Sequence, residues 1–447
     1  MRIKIQDAVP YQDSLRWQMS AAYFRSKGVQ AFMSGEVPFS VTSNEVFAGQ
    51  KAQVLLAGLK AAPTAPSEPI RVLELAGGLG VFALNFIAAF EALCARAGES
   101  YADRLEYWLT DASPATLENL ASQPVFAEKI QSGQLRLWRI DALNPAAAQA
   151  LDGTVLKAGQ PLFRAIIANY LYCTLPVAML LYKEGQYWEL LSELFEIQPD
   201  PADKTDRVSI SQKQLEEVFS FRGIDPQSYF SVDSLSVLQA LLAEIPGAIF
   251  SFPLAAMESL TCLLDLLLPA GQLLLSDKGL SSAESLAGNI LEKASLHGDS
   301  LAHKVNFPVL EGWFRQQGYD CAWTRGERAP LQTMLVQRRM PAAVNQAFGQ
   351  HFVSSNLNLE SQSLCESGTG YFRQGQIDQA IACWLEALKV RPRDALLIYR
   401  LAAAWLQLGQ PGEALKLRER AHDGYYMLDE FAHLWAKACC QSGDFAE

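Results

Sequence analysis

A glycine-rich turn between an acidic strand end and an apolar segment is the stretch of this chain best suited to bind a small molecule. The run Val72–Leu75 predicts a buried parallel strand with Glu74 near its end, and the periodicity of Val81–Leu93 predicts a helix. The turn between them consists mostly of small residues: Ala76, Gly77, Gly78, Leu79 and Gly80. Small residues let a ligand reach backbone N–H groups at a helix N-terminus, although a purely structural turn would have the same composition.

Two more acidic residues follow the next predicted strands. Asp111 comes directly after Leu105–Thr110, and Asp141 comes directly after Leu135–Ile140. A carboxylate at such a strand end accepts hydrogen bonds from both hydroxyls of a ribose, and we favour this role for Asp111. The alternative is that Asp111 only caps the helix that follows it.

The fold that positions these residues is predicted to be α/β, with a doubly wound, Rossmann-like parallel sheet. A fourth strand, Ala165–Ala168, ends in Asn169 and Tyr170. Because ligands bind at the carboxyl edge of such a sheet, we expect Asn169 and Tyr170 to face the reacting groups. An antiparallel pair, Tyr319–Thr324 and Thr333–Gln337, is predicted to close the sheet.

The order of these residues resembles a known cofactor motif. Glu74 precedes the glycine turn, as in motif I (E-x-G-x-G-x-G) of the class I S-adenosylmethionine (SAM) methyltransferases, with Ala76 at the first small position. This resemblance implies that SAM is the cofactor and that Glu74 lies under its methionine end. It also implies a set of cofactor-binding residues: Glu74, Ala76, Gly77, Gly78, Gly80, Asp111, Ala112, Asp141, Ala142 and Asn169.

Several further segments resemble the MidA family of SAM-dependent methyltransferases over about Tyr11 to Arg339. They are Asp111–Pro114 for its E-x-S-P motif, Ala168–Val177 for its A-N-E…D-A-L-P-V segment, Ser276–Gly279 for its I-D-Y-G strand end and Asp299–Phe307 for its D-x-T-x-H-V-D-F segment. The family is associated with methylation of protein arginine, but Tyr170 and Cys173 replace two of its carboxylates. Either the site therefore accepts a nucleophile other than arginine, or it has lost methyltransferase activity. Asp277 keeps one carboxylate nearby, and His303 is either a base or structural.

Other segments set the expected domain boundaries. Residues 1–60 are predicted to form a helical, aromatic segment that either caps the active site or covers a sheet edge. Within it, a helix is predicted over Gln12–Lys27 and extended chain over Val37–Asn44. Ser43 or Asn44 is predicted to cap a further helix that reaches Leu59. Residues 61–340 are predicted to form the methyltransferase domain, with an insertion at about 190–235 for which we expect a helix from Ser211 to Phe221. Residues 341–360 are predicted to be a linker.

The C-terminal residues 361–447 carry a tetratricopeptide (TPR) pattern of about two and a half repeats. Gly375, Gly409 and Gly443 are 34 residues apart, which is the TPR period. Paired helices of this kind form protein-binding surfaces, so we expect a protein or peptide partner here, the alternative being a structural or dimerising unit that makes a homodimer. Because the third repeat stops at Glu447, we expect the natural chain to continue or this end to pack on another surface.

Composition narrows the choice of function. The chain of 447 residues has a net charge of −11 and a pI near 5.1, which argues against a broad basic face for nucleic acid. The eight cysteines show no C-x-x-C spacing and the most apolar run is interrupted by Asp265, so neither a metal site nor a membrane span is predicted. We expect a cytoplasmic methyltransferase acting on a protein or peptide. An inactive scaffold and a small-molecule methyltransferase remain as alternatives.

Overall fold

The computed structural model describes residues 2–156, 159–197, 210–245, 247–287, 291–324, 331–423 and 425–443. Elements are numbered in chain order. The strands are β1 (Arg2–Pro10), β2 (Ile70–Leu75), β3 (Leu105–Asp111), β4 (Leu135–Asp141), β5 (Asn144–Ala150), β6 (Phe163–Asn169), β7 (Ala178–Lys183), β8 (Gln186–Ile197), β9 (Leu215–Ile224), β10 (Gly247–Phe252), β11 (Leu267–Asp277), β12 (Gly279–Leu280), β13 (Ser295–His297), β14 (Ser300–Ala302), β15 (Val305–Asn306), β16 (Asp320–Trp323) and β17 (Gln332–Gln337). The helices are α1 (Leu15–Lys27), α2 (Gln30–Met33), α3 (Ser40–Ser43), α4 (Glu45–Ala61), α5 (Val81–Ala97), α6 (Pro114–Ser122), α7 (Pro124–Gln131), α8 (Pro226–Tyr229), α9 (Val232–Leu242), α10 (Leu254–Leu266), α11 (Phe307–Gln316), α12 (Ala342–Phe348), α13 (Leu357–Arg373), α14 (Ile377–Val390), α15 (Ala395–Gln407), α16 (Pro411–Leu415) and α17 (Leu428–Ser442).

The central sheet confirms the predicted doubly wound α/β fold. Its eight strands lie in the order β16-β17-β11-β6-β2-β3-β4-β5. Strands β11, β6, β2, β3 and β4 are parallel, while β17 runs antiparallel to β11 and to β16, as expected for the closing pair. The chain passes outward from β2 to β4 and then returns to β6, so the strand order reverses between β2 and β6. A ligand crevice is expected outside the carboxyl ends of the strands at this point.

The sheet has an apolar core on each face. Its central strand β2 has fully buried side chains on both faces, as its continuous apolar run predicts. One core contains α4 and α5, where Phe86 and Phe90 stack with ring centroids 6.2 Å apart. The other contains Trp108 and Trp138, which stack at 4.1 Å on neighbouring strands. Burial on both faces fixes the positions of the strand ends that carry the polar residues.

A second, antiparallel sheet corrects the prediction for the region around residue 215. It has five strands. Four of them lie in the order β1-β8-β7-β10, and the fifth, β9, also pairs with β8. The helix predicted from Ser211 to Phe221 is wrong, because Leu215–Ile224 pairs along the whole length of β8. The extended chain predicted for Val37–Asn44 is also wrong, since Ser40–Ser43 forms a helical turn. Asn44 caps α4 as expected, its side chain accepting the Phe47 N–H at 3.0 Å.

The C-terminal helices form the predicted TPR pairs. Gly375, Gly409 and Gly443 all have left-handed backbone conformations, with φ between 69° and 77°, which explains the glycine at this position of each repeat. Helices α13 and α14 pack closely at Gly368, where a Cβ would come within 2.5 Å of the Trp384 ring. The second helix of the second repeat is short (α16) and continues as a 3₁₀ turn.

The TPR helices pack directly on the rest of the chain. The segment 341–360 contains α12 and the start of α13, and α12 lies against α4. Asn44 Nδ2 donates to Asn358 Oδ1 at 2.9 Å, and the Arg393 backbone N–H donates to Glu45 at 2.6 Å. Within the described ranges, no helix has the length and apolarity to cross a bilayer.

Candidate active site

A cavity of about 620 Å³ lies over the carboxyl ends of the central parallel strands. This volume is within the range of about 300–1,000 Å³ that is usual for small-molecule sites. Its floor is formed by strand ends and by the glycine turn, and one wall is formed by the N-terminal helices with Trp17, Phe32 and Phe39. Ten of the predicted site residues line it together: Glu74, Ala76, Gly77, Gly78, Asp111, Ala112, Asp141, Ala142, Asn169 and Tyr170.

The glycine turn is held tightly against its neighbours. The Gly77 N–H donates to the Thr110 carbonyl at 2.7 Å, which ties the turn to β3. A Cβ on Gly77 would lie 2.8 Å from Leu109, and one on Gly80 would lie 2.7 Å from Phe126. Gly80 itself is not on the cavity wall; it is the N-cap of α5, with φ +69°. Ala76 also adopts a left-handed conformation, φ +53°, which is unusual for a residue with a side chain.

Glu74 is a buried carboxyl group at the floor of the cavity. It is 3% exposed and accepts a hydrogen bond from the Tyr107 hydroxyl at 2.9 Å. Burial raises the pKa of Glu74 to about 8, while the Tyr107 bond and the nearby Lys51 amine act in the opposite direction. Lys51 is fully buried, and burial lowers the pKa of its amine well below the usual value. Both ionisable groups are thus shifted towards their neutral forms.

The other two acidic residues are held by the backbone that follows them. Asp111 Oδ1 accepts the Ser113 N–H at 2.9 Å, and Asp141 Oδ1 accepts the Leu143 N–H at 3.0 Å. Burial raises the pKa of Asp111 to about 6, whereas the Asp141 residue is exposed at the outer end of the cavity. These bonds orient the carboxylates at the strand ends.

Asn169 and Tyr170 lie at the reversal point of the sheet. Asn169 Oδ1 accepts from Lys51 Nζ at 2.6 Å, and Asn169 Nδ2 is a buried donor with no partner among the described residues. Tyr170 has φ +49°, a strained conformation that its N–H bond to the Ser276 carbonyl, 2.8 Å long, helps to hold. Burial raises the pKa of the Tyr170 hydroxyl above its usual value.

Asp277 and His303 do not lie on the cavity wall, although the sequence prediction grouped them with Asn169 and Tyr170. The Asp277 carboxylate accepts the backbone N–H groups of Cys173 (2.9 Å) and Lys278 (2.8 Å). His303 Nε2 lies 2.6 Å from the Tyr11 hydroxyl, and burial lowers the pKa of its imidazole to about 4. Both side chains therefore have structural partners. Asp277 still lies near Tyr170, since its charge helps to raise the pKa of the Tyr170 hydroxyl, whereas His303 packs against Tyr11 and Trp17.

Sequence reasoning missed Lys51, Lys278 and His297. Lys51 lies on α4 and reaches Asn169 from 118 positions away, so no local pattern indicates it. Lys278 and His297 line the cavity and contact each other, with Nζ 2.9 Å from Nε2. Lys278 could have been found, because it directly follows Asp277 at a parallel strand end. Within the described part of the chain, no group of three or more His, Cys, Asp or Glu residues could hold a metal ion.

Comparisons with known proteins agree with this architecture. Residues 368–409 match the family model described as "TPR repeat". No curated protein matches the sequence of this chain. A crystal structure of a COG1565 superfamily member and likely methyl transferase from Burkholderia thailandensis, bound to S-adenosyl-homocysteine, shares 15% identity with a TM-score of 0.51. That match covers 77% of this chain and 91% of the other.

Two further solved structures are less similar. A native crystal structure of an uncharacterized COG1565 superfamily protein from Burkholderia thailandensis has 15% identity and a TM-score of 0.48, with 77% and 90% of the chains covered. A DhpI-SAM-HEP complex has 11% identity and a TM-score of 0.33, with 72% and 96% covered. At these identities the likeness concerns the fold. The predicted MidA-like resemblance is confirmed at that level: the chain has a methyltransferase fold similar to a COG1565 superfamily member, and it carries a TPR repeat.

Proposed function

We propose that the protein is a SAM-dependent methyltransferase. One observation carries this proposal: a single cavity at the reversal point of the sheet brings together the glycine turn and the carboxyl groups of Glu74, Asp111 and Asp141. These groups are far apart in the sequence, and the fold places them in a row along one edge. A row of acceptors beside a small-residue turn suits a cofactor that has an ammonium group, ribose hydroxyls and an adenine amine.

The residues present fit SAM. Asp111 would accept the ribose hydroxyls, Asp141 the adenine amino group, and Glu74 would lie under the methionine end. Asn169 Nδ2, buried without a described partner, would find a hydrogen-bond acceptor on the bound molecule. A side chain at Gly77 would collide with Leu109, and one at Gly78 would press on Phe32 at 3.1 Å, so the turn keeps the floor of the cavity close to the backbone.

The chain's own residues would mainly position the reactants and exclude water. When bound, SAM supplies an electrophilic methyl group on its sulfonium. The aromatic wall formed by Trp17, Phe32 and Phe39 limits the access of water to the site. Tyr170, at the strained end of β6, faces the space where the acceptor would meet the methyl group.

We further propose that the acceptor is part of a protein or peptide and that the TPR segment docks it. Support comes from α3, which separates the cavity from the TPR helices: Thr42 and Ser43 line the cavity, whereas Ser40 lies beside Arg391 and Arg400 of the TPR segment. A partner bound to these helices would be close to the cavity. Arginine as the acceptor gains no support, since Cys173 replaces a carboxylate and Asp277 is already hydrogen-bonded.

Two alternatives stay open. Retained SAM binding without turnover on any acceptor would favour an inactive scaffold, and turnover on a free metabolite would favour a small-molecule methyltransferase. Self-association through the TPR segment and a cytoplasmic location also stay predictions. The eight cysteines, all free thiols, are consistent with a reducing compartment.

The test is calorimetric titration of SAM into the wild type, Asp111→Ala and Asp103→Ala. Loss of two charged hydrogen bonds should weaken binding by about 2–4 kcal/mol, roughly 30- to 1,000-fold. Asp103 is an exposed carboxylate just before the other end of the same strand, so its removal should leave affinity unchanged. Absence of SAM binding to the wild type would refute the proposed function.

A further inference from the structure

The acidic groups and the basic groups of the cavity lie on opposite sides of the point where the strand order reverses. The carboxyl groups of Glu74, Asp111 and Asp141 lie at the ends of β2, β3 and β4, on one side of the reversal point. On the other side, beyond the end of β11, the wall carries Lys278 and His297. Tyr170 and Cys173 also line this side, and burial raises the pKa of both groups, which keeps them neutral. Two other charged residues on the wall, Asp13 and Arg25, are exposed at its rim. The half that would face the methyl acceptor therefore carries a cationic group.

Lys278 and His297 are hydrogen-bonded to each other. Lys278 Nζ lies 2.9 Å from His297 Nε2, and both residues are half-buried. Burial and then the charge of Lys278 lower the pKa of the His297 imidazole, so the neutral ring accepts a hydrogen bond from the ammonium. In the described part of the chain, no carboxylate lies within ion-pairing distance of Lys278 Nζ. Two ammonium protons thus remain for a ligand.

We propose that Lys278, oriented by His297, binds the methyl acceptor through an acidic oxygen of a phenol, enol or carboxylic acid, held as its anion. This inference rests on the proposed SAM-dependent function and names its acceptor class. The oxygen anion attacks the methyl carbon, an O–CH₃ bond forms, and the S–CH₃ bond breaks with its electron pair going to sulfur. The acceptor's proton has already passed to solvent on binding, because the ammonium favours the anion. The step turns a sulfonium and an anion into two uncharged groups.

The same arrangement disfavours a guanidinium acceptor. Arginine is usually recognised by a carboxylate with two free oxygens, and the nearest candidate, Asp277, accepts two backbone N–H groups instead. Lys278 would also repel a cationic side chain. The residue at position 278 is therefore the clearest predictor of acceptor charge in this site.

The experiment uses 4-nitrophenol, whose phenolate absorbs visible light, titrated into the full-length protein loaded with S-adenosylhomocysteine. Binding at Lys278 should lower the probe's apparent pKa and raise phenolate absorbance at fixed pH. Lys278→Met should weaken phenolate binding about 10- to 100-fold, Lys278→Arg should restore much of it, and the exposed Lys60→Met should have no effect. Unchanged phenolate binding in Lys278→Met would overturn the proposal, as would a wild type that does not bind the probe.

Two further readouts complete the test. Calorimetry with SAM on the same variants, prepared without S-adenosylhomocysteine, separates this inference from the proposed function. Absence of SAM binding to the wild type removes the function, whereas a tenfold or larger loss of SAM affinity in Lys278→Met would assign Lys278 to the cofactor and overturn the inference. Displacement of the bound phenolate by benzoate identifies a carboxylate acceptor, and displacement by a short tyrosine peptide identifies a peptide phenol. Either result supports the inference. Displacement by N-acetylarginine amide would contradict it.

Discussion

The buried pair of Lys51 and Glu74 should leave a clear signature in the pH dependence of stability. Lys51 is fully buried and Glu74 is 3% exposed, and each interacts with the other's charge. In the unfolded chain between about pH 5.5 and 7.5, the amine holds a proton and the carboxylate does not. In the folded chain the pair also holds one proton, whether as two neutral groups or as an ion pair. The wild-type pair therefore adds no pH dependence in this range.

When one partner is removed, the shifted pKa of the remaining partner makes the free energy of unfolding depend on pH. In Lys51→Met, the folded-state pKa of Glu74 stays at about 8 or higher, because its favourable cation is gone. The folded state then binds one more proton than the unfolded state, so the free energy of unfolding falls with pH by up to about 1.4 kcal/mol per unit. Between pH 5.5 and 7.5 the loss relative to wild type is up to about 2.7 kcal/mol. Glu74→Gln leaves a buried amine with a lowered pKa, so its free energy of unfolding should rise with pH instead.

Urea denaturation at three pH values, without ligand, measures these slopes as differences from the wild type, so other titrating groups cancel. Lys60→Met, on the same helix but exposed, is the control and should follow the wild-type slope. The double variant Lys51→Met/Glu74→Gln should also follow it, since both shifted groups are gone. If Lys51→Met has the wild-type slope, Glu74 is ionised in the folded protein without a cation, and the reasoning from burial is refuted.

Two further predictions concern the backbone and the domain contact. Ala76→Gly should raise the free energy of unfolding by up to about 1 kcal/mol in urea, because it relieves a left-handed alanine, whereas Ala83→Gly inside α5 should lower it by a similar amount. Asn44→Ala should cost about 2–3 kcal/mol, because Asn44 both caps α4 and bonds Asn358 of the TPR segment. Ser113→Ala, which removes only the cap of α6, should cost about 1 kcal/mol; equal losses in the two variants would show that the Asn44–Asn358 bond adds no stability.

The features that the sequence predicts well are local. The strand–turn–helix around Glu74 follows from a few neighbouring residues, since an apolar run, small residues and a second apolar segment leave little choice of backbone. The TPR glycines follow from a fixed period and a left-handed helix end. The placement of Asp111, Asp141 and Asn169 follows from one rule, that parallel strand ends meet at one sheet edge.

The features that the sequence does not predict depend on distant pairing. Polar and apolar residues do not alternate regularly along strand β9, and its Val218, Phe219 and Phe221 are exposed, so its pairing with β8 leaves no clear two-residue period in the sequence. The polar, acidic composition of this region favours a helix from Ser211 to Phe221, and the structure overturns that prediction. The resemblance of Asp299–Phe307 to a family segment suggests His303 as a base, but the packing of Tyr11 and Trp17 around its ring determines where the imidazole lies.

Several energetically costly features lie around the cavity, although two other left-handed residues, Glu184 and Arg339, lie in turns elsewhere. Two non-glycine residues with positive φ, Ala76 and Tyr170, lie on its wall, and the buried Glu74 is at its floor with Lys51 behind Asn169. Each left-handed residue costs about 1–2 kcal/mol, and each buried ionisable group costs more unless it is neutral or paired. Had stability alone determined these positions, glycine at 76 and apolar residues at 51 and 74 would have been sufficient. Their concentration at the carboxyl ends of β2 and β6 is what a ligand-binding site requires, and it supports the proposed cofactor site independently of any resemblance.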